Sequence, residues 1–347
     1  MSNTTYGEGK ANVEQVEDVQ TTPAPQTDHH HHAYPQPTTG HPVLEAPFEE
    51  VMADKPAAGH IHPVIHAPAW QLRWEAKREW LRPYFAECFA VMIYVTFGCG
   101  SVAQFLLGGG IYGSWLNVAL AFGLAIAFAV YLCAPISGGH TNPAITVTMA
   151  IFRGFPWRRV PGYIISQIIG GFIGACLVYA AFYDTINMFD GGVRQIVGKQ
   201  ATSTIWCNLP APGITTGWSF WTEFLANAAF TLVVFVLVDE NNPLVSPQTA
   251  PIMIGLSITT TVLGLAQQGV ALNPARDLGP RIFVAIVYGP EIFQLGNHFF
   301  WIPMVAPFFG CITSAFIYDM LFYVHPQPQQ GSHALEGTTS IHEKDSL

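Results

Sequence analysis

The chain has 347 residues, half of them hydrophobic and only 11% charged. A soluble domain carries about a quarter of its residues charged, so this composition excludes an ordinary soluble enzyme or scaffold. The net charge of −9 sits at the two ends: residues 1–70 hold two basic and nine acidic side chains, residues 326–347 one and three, and 71–325 eleven of each. Acidic tails repel anionic lipid heads and nucleic acid, and no nucleic-acid partner is expected.

Residues 1–70 are rich in Pro, Thr, Glu and His and show no helical period. They are expected to form a disordered tail. Their first 60 positions contain no apolar run, so no cleaved leader is expected. The run His29 to His32 reads as a short polar tract rather than a metal site, and no metal or cofactor is expected. Trp70-Gln71-Leu72-Arg73-Trp74 mixes aromatic and basic residues, as a segment at a membrane edge does.

Six long apolar segments follow, at about 84–107, 115–136, 160–182, 218–238, 249–268 and 299–324. Each is near the ~20 residues needed to cross hydrocarbon. The expected fold class is an all-α membrane protein, with a transmembrane domain over 71–325 and a second tail over 326–347. Cys88, Cys99, Cys133, Cys176 and Cys311 lie in apolar segments and read as small core residues; Cys207 stands alone in the loop 183–217.

Two copies of Asn-Pro-Ala, 131 positions apart, interrupt this pattern: Asn142-Pro143-Ala144 and Asn273-Pro274-Ala275. Asn caps free backbone N–H groups, and Pro at the first helical position loses no hydrogen bond. Each box therefore starts a helix, too short to cross, after the second and fifth crossings. The halves about 84–182 and 218–324 look related. Glu87 precedes Asn142 by 55 residues, and Glu223 precedes Asn273 by 50. Three crossings per half inverts the second half in the membrane. Inverted repeats whose broken helices meet at the midplane are a transport architecture.

Basic residues give the orientation. Arg73, Lys77, Arg78 and Arg82 precede the first crossing, and Arg153, Arg158 and Arg159 lie between the second and third. Both stretches, and with them both termini, are expected in the cytoplasm. The acceptor motif Asn3-Thr4-Thr5 would then go unmodified.

Arg276 follows the second box directly. A charge at membrane depth is costly and usually functional; the alternative is structural pairing with Asp277. Glu87 and Glu223 could carry protons, or accept hydrogen bonds from the loops that lead into the half-helices. His140 could be a ligand or base, or pack and line the passage. A membrane enzyme using His140 with a Glu is an alternative without support, because no nucleophile or His-Glu-x-x-His pattern exists.

With two Asn-Pro-Ala boxes, an upstream Glu for each and this inverted order, the chain resembles the aquaporin, or major intrinsic protein, family over about 84–324. Asn-Pro-Ala-Arg-Asp, Arg281 and Pro303-Met304 resemble its aquaglyceroporin branch, and the long tails look like the fungal members. The resemblance implies a homotetramer with one pore per protomer, most simply in the plasma membrane. It implies a passive channel for glycerol, other small neutral solutes and water that excludes ions and protons. Asn142 and Asn273 would meet at mid-membrane. By spacing, Phe122, Gly264, Val270 and Arg276 would form the selectivity filter. Phe122 stands where glycerol channels often have Trp, and Val270 where they often have an aromatic. A water-selective channel and a protein that no longer conducts are the competing readings; an open position at Gly264 argues against the first, and the intact boxes against the second. Residues 35–70 would be free to fold back over the cytoplasmic mouth.

Overall fold

The computed structural model describes residues 68–266 and 269–324. His29 to His32, the segment 35–67 and the tail after 324 lie outside the described residues. Among the described residues every regular element is helical: α1 (Ala69–Arg78), α2 (Arg82–Leu107), α3 (Trp115–Ser137), α4 (Pro143–Phe152), α5 (Val160–Asp190), α6 (Thr216–Leu237), α7 (Ala250–Leu265), α8 (Pro274–Val287) and α9 (Trp301–Leu321).

Helices α2, α3, α5, α6 and α9 are long and apolar enough to cross a membrane. Their outer surfaces expose Phe89, Phe97, Phe128, Ile165, Phe309 and Phe316. So large an apolar surface suits hydrocarbon rather than water. Helix α7, expected as a crossing over 249–268, stops at Leu265. Its 16 residues span about 24 Å, short of the ~30 Å of hydrocarbon. The chain continues as irregular backbone through Ala266 and from Gly269 to Leu272, and this stretch lines a cavity. Irregular backbone at membrane depth is tolerated in that setting alone.

The packing maps onto itself when the halves are exchanged. Helix α2 packs on α5 as α6 packs on α9; α5 packs on α8 as α9 packs on α4; α3 packs on α7 between the halves. Glycines set these approaches. A Cβ on Gly123 of α3 would lie 2.5 Å from Gly255 O of α7, and a Cβ on Gly255 would lie 2.5 Å from Gly123 O. A Cβ on Gly170 of α5 would overlap Cys88 O of α2, and one on Gly310 of α9 would overlap Phe224 O of α6. Cys88 and Phe224 each follow the repeat glutamate, so the same crossing occurs in both halves. Dispersion between touching backbones holds such crossings in lipid, where no hydrophobic effect drives helices together.

Two boundaries differ from the sequence expectation. Helix α1 starts at Ala69, inside the segment expected to be a tail. Helix α5 runs to Asp190, well past the expected end at 182. There Ile186 is fully buried, Gly191 turns the chain in the left-handed region, and buried Asp190 pairs with Arg194 at 2.8 Å. The following loop is folded inward. Ile205, Trp206 and Cys207 are buried, so Cys207 belongs to the core rather than to an open loop.

Candidate functional site

The N-termini of α4 and α8 meet. Asn142 caps α4: its Oδ1 accepts from Ala144 N at 2.9 Å. Asn273 caps α8: its Oδ1 accepts from Ala275 N at 2.9 Å and Arg276 N at 3.2 Å. The amide nitrogens cross over. Asn142 Nδ2 donates to Leu272 O at 2.9 Å, and Asn273 Nδ2 donates to Thr141 O at 2.7 Å. A side-chain amide has two N–H donors, so each Asn keeps one for the lumen.

Thr141 and Leu272, the residues just before the boxes, both have positive φ, 52° and 58°. Such a conformation in a residue with a Cβ persists only when its surroundings impose it. The repeat glutamates do so. Fully buried Glu87 accepts from Thr141 N at 2.6 Å, His140 N at 3.0 Å, Ser137 Oγ at 2.6 Å and Gln167 Nε2 at 2.8 Å. Glu223 accepts from Ala271 N, Leu272 N at 3.2 Å and Asn208 Nδ2 at 3.1 Å. Of the two roles open to these carboxylates, the geometry matches the loop-holding one.

Three cavities adjoin in series through shared lining residues. The outer one, about 640 Å³, has Phe122, Val262, Ala266, Val270 and Arg276 on its wall. The central one, about 30 Å³, is lined by Asn142 and Asn273 together with Ile126, Ile145, Phe230 and Ile258. The third, about 530 Å³, has Asp239 and Glu240 at its rim. Tyr94 and Leu272 belong to both the outer and the central cavity. Gly139 and His140 belong to both the central and the third. The central volume has room for about one or two waters.

Arg276 is 7% exposed and is the one charged residue on the walls of the outer and central cavities among the described residues. Its Nη1 donates to Trp206 O at 3.1 Å, and its guanidinium carbon lies 4.9 Å from the centroid of the Phe122 ring. It does not pair with Asp277. That carboxylate binds Arg281 Nε at 2.8 Å and accepts from Asn208 N at 2.7 Å. Arg281 in turn donates through Nη2 to Asn208 O. Asp277 and Arg281 are thus buried behind the lining and tie the loop at Asn208 to α8. Pro303 is buried and Met304 half-buried in the first turn of α9, away from the cavity walls.

Gly264 is a correction. It is exposed, and a Cβ built on it meets nothing within 4 Å. Val262 on α7 and Ala266 just past its end line the outer cavity instead. Two residues along a helix turn a side chain by about 200°, so Gly264 points away from the side on which Val262 lines the cavity. Counting back from Asn273 failed because the intervening segment is irregular. His140 sits between Phe155 and Tyr163, at ring distances of 4.5 and 5.2 Å, with Nδ1 buried and unpartnered. Tyr94, Gln167, Trp206 and Asn208 were not singled out from sequence. Gln167 and Asn208 have no local motif, and their roles come from distant glutamates.

The model of the major intrinsic protein family matches residues 74–318. The chain is 40% identical over 241 residues to Aquaglyceroporin-2 of Rhizophagus irregularis, covering 69% of this chain and 76% of that one. It is 37% identical over 246 residues to Aquaporin-9 of Homo sapiens, covering 70% and 83%. Among solved structures, the aquaglyceroporin from Plasmodium falciparum aligns with a TM-score of 0.64 at 28% identity, covering 70% of this chain and 96% of that one. Match, fold and meeting boxes agree: the chain belongs to the major intrinsic protein family.

Proposed function

We propose that this protein is a passive membrane channel for glycerol, other small neutral solutes and water. The observation that carries it is the exchange of bonds between Asn142 and Asn273, which fixes two helix N-termini tip to tip in the narrowest cavity. Each terminus carries roughly half a positive charge. With Arg276 on the same path, cations and protons meet two barriers of the same sign. A neutral hydroxyl accepts the free amide N–H groups and loses little when it leaves bulk water.

The filter consists of Arg276, Phe122 and Val270, with Val262 and Ala266 on the side of α7. Its polar wall serves hydroxyls and its apolar wall serves the carbon chain, which favours polyols over a filter narrowed for water alone. The names of the relatives, aquaglyceroporins among them, agree with this reading. No chemical step is assigned to His140, Glu87 or Glu223. The protein works as a homotetramer in the lipid bilayer, at the plasma membrane, with both termini in the cytoplasm. In support of one cytoplasmic side, Arg153 at the end of α4 forms a bidentate pair with Asp319 near the end of α9, at 2.8 and 2.9 Å.

Proteoliposomes in a glycerol gradient test the function. The expected result is rapid reswelling with no proton or cation current. Reswelling no faster than empty vesicles, at verified tetramer density, overturns it.

A further inference from the structure

We infer that the Tyr94 hydroxyl is a third hydrogen-bonding station of the passage, lying between Arg276 and the asparagine pair, and that it selects for polyols. Tyr94 lies on α2 and is 2% exposed. It belongs to both the outer and the central cavity, a position shared only with Leu272 among the described lining residues. The side chain of Leu272 is apolar, and one of the two lone pairs of its carbonyl is taken by Asn142 Nδ2. Phe230, Ile254 and Ile258 also line the central cavity and are apolar. Tyr94 is therefore the side chain able to offer a polar atom at this junction.

Its hydroxyl makes no hydrogen bond to another described residue. Two side-chain polar atoms are sealed without a partner among the described residues, His140 Nδ1 and Gln167 Oε1, and Tyr94 Oη is not one of them. It keeps contact with the lumen. A buried phenol normally finds a partner, because leaving one unpaired is costly. Here the partner is whatever passes. The ring itself is held by an edge-to-face contact with Phe122, centroids 5.5 Å apart at 69°. The hydroxyl is consequently fixed in place rather than free to swing away.

A phenol both donates and accepts. A polyol leaving Arg276, a donor only, can donate a hydrogen bond to Tyr94 Oη while its next hydroxyl approaches the asparagine N–H groups. Water in single file needs this less, since it keeps neighbouring waters as partners. A polyol has its hydroxyls fixed on carbon and cannot recruit a replacement where the wall is apolar. Loss of Tyr94 Oη therefore falls mainly on polyols.

This inference rests on the channel reading, and one variant separates the two. Tyr94→Phe removes a single oxygen and keeps the ring against Phe122. Glycerol and water permeability are measured by stopped-flow on proteoliposomes of parent and variant at equal protein density. One neutral hydrogen bond predicts glycerol permeability lower by about threefold to tenfold, with water within about twofold of the parent. An unchanged glycerol-to-water ratio overturns the inference. A parallel fall in both also overturns it, because displacement of Phe122 would act on both solutes. A parent that conducts neither solute defeats the proposed function instead.

Discussion

The guanidinium of Arg276 and the ring of Phe122 face each other 4.9 Å apart at the outer end of the passage. One guanidinium N–H is held by Trp206 O, so others among its five remain for the lumen. The face of an aromatic ring attracts a cation, which helps hold the charge in an otherwise apolar wall. Replacing Arg276 with Val removes the charge and widens the gap. Glycerol flux should persist, while proton or cation leak should appear. Proteoliposomes loaded with a pH dye report both; a variant as proton-tight as the parent contradicts the role given to Arg276.

Glu87 and Glu223 hold Thr141 and Leu272, both at positive φ. Glu87→Gln replaces one of two acceptor oxygens with an NH₂ group, which then faces backbone N–H donors. Each orphaned buried donor costs about 1–3 kcal/mol, so the variant should unfold at lower temperature in detergent. Glu223→Gln should behave alike, since the pattern repeats. Flux per folded channel should change little in either. Uphill glycerol movement driven by a pH gradient in the parent, lost in either variant, would show that these carboxylates carry protons.

The sequence displays the repeat because its devices are local. Asn followed by Pro is a helix start that needs no tertiary information, and the meeting of α4 and α8 follows from two such starts in inverted halves. The upstream glutamates likewise reach their boxes: each accepts from the backbone N–H groups of the two residues just before the Asn, His140 and Thr141 for Glu87, Ala271 and Leu272 for Glu223. What was illegible depends on three-dimensional detours. The loop at Trp206 and Asn208 returns to the core through Asp277 and Arg281, which are remote in sequence. The register of α7 cannot be counted back from Asn273 through irregular backbone, so spacing alone puts Gly264 on the wall. Tyr94 lies in an apolar run where nothing marks which side faces a lumen.

Asp277 and Arg281 are fully or almost fully buried and satisfy each other and Asn208. Arg281→Met leaves the Asp277 charge buried without a counter-charge, at a cost of about 3–5 kcal/mol. The expected outcome is little folded protein in the membrane and a sharply lower melting temperature. Combining it with Asp277→Asn removes the stranded charge and should recover part of that loss. A single variant as stable as the parent would mean that the pair does not anchor the loop.

Gly264 and Ala266 separate the sequence count from the observed register of α7. Gly264 is exposed with open space beyond its Cα, while Ala266 is 4% exposed and lies on the outer cavity wall. Gly264→Phe places a ring outside the passage and should leave glycerol and water flux close to the parent. Ala266→Phe places the same ring inside, opposite Arg276 and Phe122. Glycerol is wider than water, so its flux should fall about tenfold or more, equal to an added barrier of at least about 1.4 kcal/mol, with water reduced much less. Both variants carry one added aromatic, two residues apart at the C-terminal end of α7, so a general effect of bulk would appear in both. Stopped-flow swelling at matched protein density gives the comparison. Loss of glycerol flux in the Gly264 variant, with the Ala266 variant spared, would reverse the register and restore Gly264 to the wall.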